Sequence, residues 1–140
     1  MKASGRSRGA FGFTLIEVTV VGAIIASLTA LVVPGILRSR TVANESLAKG
    51  TLRTISNGIE MYLSATSSYP TVEADLLAPA ANPPYLAQAY DGQTLRGYKY
   101  EYDFTNGYTV TATPEACGRT GSKVFTLTNN TITEAACINE

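Results

Sequence analysis

From Phe13 to Leu37 the chain runs for 25 residues with a single charged member, Glu17. As a helix this stretch would measure roughly 37 Å at 1.5 Å per residue, enough to cross the ~30 Å hydrocarbon layer of a bilayer. The basic residues Lys2, Arg6 and Arg8 precede it. Positive charge on that flank predicts that the leader stays cytoplasmic and the bulk of the chain is exported. A secretory signal would carry a small-residue cleavage site after the apolar stretch. The segment there, Pro34-Gly35-Ile36-Leu37-Arg38-Ser39-Arg40, matches that pattern poorly.

Glu17 is the anomaly in this run. A carboxylate at the centre of a spanning helix costs about 2.5–3.5 kcal/mol on insertion scales, so one placed near its end calls for a partner or a function. Snorkelling toward headgroups is the plainer alternative. The segment Gly12-Phe13-Thr14-Leu15-Ile16-Glu17-Val18 closely resembles the prepilin processing motif of type IV pilins and type II secretion pseudopilins. The resemblance implies cleavage after Gly12 by a membrane prepilin peptidase, which also N-methylates Phe13, and makes Glu17 the fifth residue of the mature chain. Gly9 is a second candidate cut, but it would put Glu17 eighth and Ala10 at the terminus. The resemblance further implies that Glu17 neutralises the terminal amine of a neighbouring subunit's Phe13 and so sets the register between subunits.

Small residues recur in the same run, and Gly22 with Ala26 forms a small-xxx-small pair that permits close helix packing. Pro34 has no N–H to offer the Ala30 carbonyl and is followed by Gly35, which predicts a kink or a loosened turn. In filaments of the resembling family such a proline accompanies a locally melted stretch. A simple kink is the other reading. The assembly residues expected from all this are Phe13, Glu17, Gly22 and Pro34.

Beyond the apolar run the helical pattern continues. Ala48, Leu52, Ile55, Ile59 and Tyr62 recur at spacings of 4, 3, 4 and 3, with Lys49, Arg53, Asn57 and Glu60 on another face. One helix from about Thr14 to about Ala65 is expected. Residues 67 to 96 hold Pro70, Pro79, Pro83 and Pro84 without clear period and read as a long surface connection, with a helical turn near Glu73 to Leu77. From Tyr98 the pattern alternates: Tyr98, Tyr100, Tyr102 and Phe104 interleave with Lys99, Glu101 and Asp103. Thr105-Asn106-Gly107 then supplies a turn into Tyr108 to Thr113. Lys123 to Thr128 and Thr131 to Thr133 complete an antiparallel sheet of three or four strands. That sheet needs cover, and the Ala48–Tyr62 stripe supplies it. The fold class is therefore α+β and pilin-like: one long N-terminal helix whose second half packs on a small sheet. The organisation is a cleaved leader over 1–12, a transmembrane or filament-core helix over 13–37, and a half-helix with a β head over 38–140.

Composition narrows the chemistry. The chain has no histidine and no tryptophan, which excludes an imidazole base and a His-ligated metal and leaves no catalytic residue, metal site or cofactor to nominate. Without residues 1–12 eight basic residues face eleven acidic ones, a formal charge of −3, so a nucleic-acid partner is not expected. Cys117 and Cys137 admit one pairing. On an exported chain a disulfide is expected, worth ~3 kcal/mol in the chain-entropy model, with free thiols the alternative.

The resemblance implies a structural subunit held in the inner membrane and then polymerised with identical copies into an extracellular type IV pilus by an assembly platform and its ATPase. A periplasmic pseudopilus of type II secretion is the nearest alternative. Major pseudopilins would lead one to expect an acidic calcium-binding loop near the C-terminus, and none is evident in the sequence. A membrane-anchored binding domain that never polymerises is a reading of a different class.

Overall fold

Why one helix serves two surroundings is visible in where its side chains go. The structure is a computed structural model that describes residues 12–138. The leader expected over 1–12 lies outside the described residues apart from Gly12. The chain divides into two compact units, Met1–Ile36 and Leu37–Glu140. A single helix, α1 (Leu15–Thr66), contributes to both.

In the first unit every described residue is exposed, and the apolar side chains of Leu15, Ile16, Ile24, Leu28 and Leu31 have no cover. The polar atoms of this stretch are satisfied within the helix. Thr19 Oγ1 donates to the Ile16 carbonyl at 2.9 Å, Ser27 Oγ to Ala23 at 2.9 Å and Thr29 Oγ1 to Ile25 at 2.8 Å. With hydroxyls and backbone both internally bonded, the exterior is apolar in effect, the condition a bilayer imposes. α1 is long and apolar enough to cross a membrane. Helical structure runs unbroken through Pro34 and Gly35, so the loosened turn expected there is not a break in the helix.

In the second unit Ala48, Leu52, Ile55 and Ile59 are fully buried, with Tyr62 at the margin, as their spacing predicts. The cover is a five-stranded antiparallel sheet in the order β1-β2-β3-β4-β5. Its strands are β1 (Thr94–Leu95), β2 (Tyr98–Asp103), β3 (Thr109–Pro114), β4 (Lys123–Thr128) and β5 (Thr131–Ala136). Inward residues alternate along each central strand: Tyr98 and Tyr100, then Val110 and Ala112, then Phe125 and Leu127. Burial holds the Tyr98 hydroxyl at about 12, so this tyrosine packs as a neutral ring. Its hydroxyl donates to the Lys123 carbonyl at 2.8 Å.

Two expectations need correction. The sheet has five strands rather than three or four. β1 is only two residues long, too short to alternate, and joins β2 through Arg96 and Gly97, whose φ values of +53° and +80° suit a two-residue hairpin. Nor is the segment over 67–96 merely a surface connection. It sends Pro70, Leu76, Ala81, Leu86 and Tyr90 into the core. The Leu76 carbonyl accepts from the N–H groups of Tyr85 and Leu86, both at 3.0 Å. A 3₁₀ turn over Glu73–Leu76 falls where the helical turn was expected. The Glu73 carboxylate ties this turn to the strand entry by accepting from the Tyr90 N–H at 2.6 Å.

Gly121 precedes β4 against the Tyr98 ring, and a Cβ there would overlap the ring's edge and hydroxyl. Because the ring is held by its hydroxyl's bond to Lys123 and by packing against Phe125, Gly121→Ala should destabilise the second unit by roughly 1–3 kcal/mol. Gly107→Ala, at a glycine with open space around it but a φ of +93°, provides a strain-only comparison by thermal unfolding. An unchanged midpoint for Gly121→Ala would refute the close packing.

Candidate assembly site

The residues nominated for assembly cluster at the start of α1. Thr14 stands immediately before the helix, and its carbonyl accepts the first helical bond, from Val18 N–H at 3.3 Å. Its hydroxyl accepts from the Glu17 N–H at 3.3 Å. In return Glu17 Oε2 accepts from the Thr14 N–H at 3.1 Å and from the Thr14 hydroxyl at 3.0 Å. This is a reciprocal capping box, Thr-x-x-Glu, in which each side chain satisfies the other residue's backbone donor. The carboxylate also lies at the positive end of the helix dipole. Reading Glu17 from charge alone missed this contact, although the threonine three positions before it was a legible signal.

Glu17 therefore has a partner within its own chain. The capping bonds engage Oε2. Phe13 is 86% exposed at the head of the same segment, so both groups nominated for contact between subunits are accessible. Gly22 and Gly35 have no neighbouring atom that an added Cβ would meet. A shallow groove of about 330 Å³ runs along Val20, Ala23, Ile24, Ser27 and Leu28. Pro34 lies within α1 as described above.

In the second unit Cys117 and Cys137 are bonded, with Cα atoms 5.7 Å apart. The bridge closes the segment holding β4 and β5. Among the described residues no group of three or more His, Cys, Asp or Glu gathers to hold a metal ion. Glu101 and Asp103, the carboxylate pair on β2, are exposed. Glu101 pairs with Lys99 at 2.7 Å, and Asp103 accepts from the Thr105 N–H at 2.8 Å and its hydroxyl at 2.5 Å.

One ionic contact crosses between α1 and the sheet. Glu134 on β5 pairs with Lys123 on β4 at 2.6 Å and with Lys49 on α1. The Lys49 ammonium also sits 5.1 Å from the centre of the Phe125 ring. Hydrogen bonds from Lys123 and then Lys49 hold the Glu134 carboxyl down to about 2, against an ordinary value of 4.5. A carboxyl whose folded value is depressed contributes stability above its unfolded value, and loses it as pH falls through the folded one.

Comparison with known proteins gives three informative relatives. The type II secretion system core protein G of Pseudomonas aeruginosa is 38% identical over 76 residues, covering 51% of this chain and 54% of the relative. Its Escherichia coli counterpart is 34% identical over 93 residues, covering 65% and 62%. The type IV wide pilus major component PilA4 of Thermus thermophilus is 39% identical over 71 residues, covering 51% and 54%. The matches span about half to three fifths of the length of these relatives. No protein-family profile matches the chain, and no solved structure matches it significantly.

The thermal midpoint should fall between pH 4.5 and about 2 as Glu134 is protonated. Glu134→Gln should flatten that fall in part, its midpoint lying modestly below wild type near neutrality and converging on it in acid; the difference is small because the cluster is exposed and salt-screened. Asp103, also held low by its Thr105 bonds, contributes to the fall in the same direction. An identical pH profile in the variant would show that the clamp is not formed in solution.

Proposed function

We propose, for a chain related to type IV pilins and type II secretion pseudopilins, that it is the structural subunit of a type IV pilus, stored in the inner membrane and polymerised through α1. Its apolar first half is the anchor before assembly and the filament core afterwards. A prepilin peptidase cuts after Gly12 and methylates Phe13. An assembly platform with its ATPase then drives subunits out of the bilayer into the extracellular fibre. The role is structural, with no catalytic step.

The observation that carries this reading is an unburied apolar stretch of α1, up to Leu37, of spanning length, whose only acid, Glu17, stands beside the expected new terminus. Left bare, such a surface is stable in neither water nor periplasm, and lateral packing against identical helices covers it once lipid is gone. Glu17 gives the packing its register. One oxygen remains engaged by the Thr14 cap while the other meets the Phe13 amine of a neighbour. Gly22 and the Ala23–Ser27 groove let the backbones approach. A periplasmic pseudopilus is the second reading, favoured by the relatives described as core protein G. The disulfide that closes β4 and β5 near the C-terminal end favours the pilus by stabilising a subunit exposed outside the cell.

Two substitutions separate the cap from the charge. Glu17→Gln retains a side chain able to close a capping box but removes the charge, whereas Glu17→Ala removes both. Filament yield in the sheared surface fraction should collapse in both variants, while membrane levels of the subunit remain near wild type. Normal filaments from Glu17→Gln would show that the cap suffices and the charge is not used. Mass analysis of wild-type material should find chains beginning at N-methylated Phe13. Their abundance in sheared fibres supports the pilus, and their restriction to the membrane fraction supports the pseudopilus.

A further inference from the structure

The second unit contains a cleft of about 710 Å³ that the reading above does not use. One wall is the stretch of α1 from Leu37 to Glu45, and the other is the turn from Gly118 to Ser122. Three side chains of α1 hold the turn in place. Thr41 Oγ1 donates to the Arg119 carbonyl at 3.3 Å, Asn44 Nδ2 to the Thr120 carbonyl at 3.0 Å, and Glu45 Oε1 accepts from the Ser122 N–H at 2.8 Å and hydroxyl at 2.6 Å. The turn is also closed on itself, by Gly118 N–H to the Gly121 carbonyl at 2.8 Å and Arg119 N–H to the Ala116 carbonyl at 3.1 Å. The Cys117 bridge fixes its start.

Two arginines from distant points of the chain, Arg38 and Arg119, line this cleft and are exposed to solvent. Neither forms an ion pair among the described residues. The acid in the cleft, Glu45, is already engaged by Ser122, and the three charges leave a net positive site. Leu37 and Val42 supply an apolar floor beside the cations. Leu37 is also the last residue of the apolar run, and the Thr41 contact lies roughly 4.5 Å along the helix from Arg38. Arginine at this boundary runs against the usual scarcity of basic residues on the exported side, so the pair calls for a use.

We propose that the cleft binds the phosphodiester headgroup of an anionic phospholipid in the outer leaflet of the inner membrane. This rests on the reading that Phe13–Leu37 spans that membrane. The planar guanidinium groups of Arg38 and Arg119 grip the phosphate oxygens from two sides, and Leu37 and Val42 lie against the glycerol and the first acyl carbons. The lipid orients the second unit while the subunit waits for assembly, and is left behind when the subunit is extracted.

The full chain is reconstituted into vesicles of phosphatidylcholine, with or without phosphatidylglycerol. Insertion is followed by flotation, and the environment of the turn by hydrogen exchange of amides 117–122. Exchange should slow only in vesicles containing phosphatidylglycerol. Arg38→Gln and Arg119→Gln should each weaken the dependence on phosphatidylglycerol roughly fivefold, while Arg40→Gln, outside the cleft, should have a smaller effect. Equal exchange in both inserted samples overturns the proposal, as does an Arg40→Gln effect as large as that of Arg119→Gln. So does inorganic phosphate reproducing the protection with phosphatidylcholine alone. A chain that floats with neither vesicle overturns the spanning reading, and the proposal with it.

Discussion

Everything in the second unit depends on covering one stripe of one helix. Ala48, Leu52, Ile55 and Ile59 cannot remain in water, and the sheet exists to take them up. Four apolar positions on about three turns are too few to hold a 52-residue helix by themselves. The inward rings of Tyr98, Tyr100, Tyr108 and Phe125 are the largest of the fully buried side chains that join them. Gly58 lets this packing close. Its missing side chain admits Leu86 against the helix backbone, which draws the proline-containing segment into the core.

The first half of α1 obeys a different rule. Its hydroxyls bond backward onto the helix, its surface is apolar nearly all round, and no described residue covers it. An amphipathic stripe and an all-round apolar surface belong to different solvents. In the proposed reading, carrying both on one helix lets the same residues serve in lipid and against copies of themselves. The capping box of Thr14 and Glu17 completes the first turn where a membrane or a filament core would leave backbone donors unpaired.

Much of this was legible in the order of residues. Periodicity located α1 to within a residue at each end, and alternation located β2 and β3, because each pattern extends over several repeats. β1 escaped because two residues carry no period, and only the Arg96-Gly97 turn marks it. The burial of Leu76 and Leu86 escaped for a different reason. A proline-rich segment advertises turns, while the contacts that sink it are made with residues far along the chain. At the candidate site Glu17 stood out by its charge, yet its bond to Thr14 was overlooked because attention fell on a partner in another subunit. The cleft of Arg38 and Arg119 was not legible at all, since 81 positions separate the two residues and only the folded turn brings them together.

The outer strands have a bearing on how crowded subunits treat one another. An exposed strand edge is a template for indiscriminate pairing, and a membrane stocked with identical chains presents many such edges. At one side of this sheet the edge strand is two residues long. At the other, β5 carries Glu134 locked between two lysines. The first is too short to recruit a neighbour, and the second would have to surrender its charge contacts to do so. Adhesion through the sheets is thereby discouraged, which in the proposed reading keeps a stored population fluid until its helices are brought together.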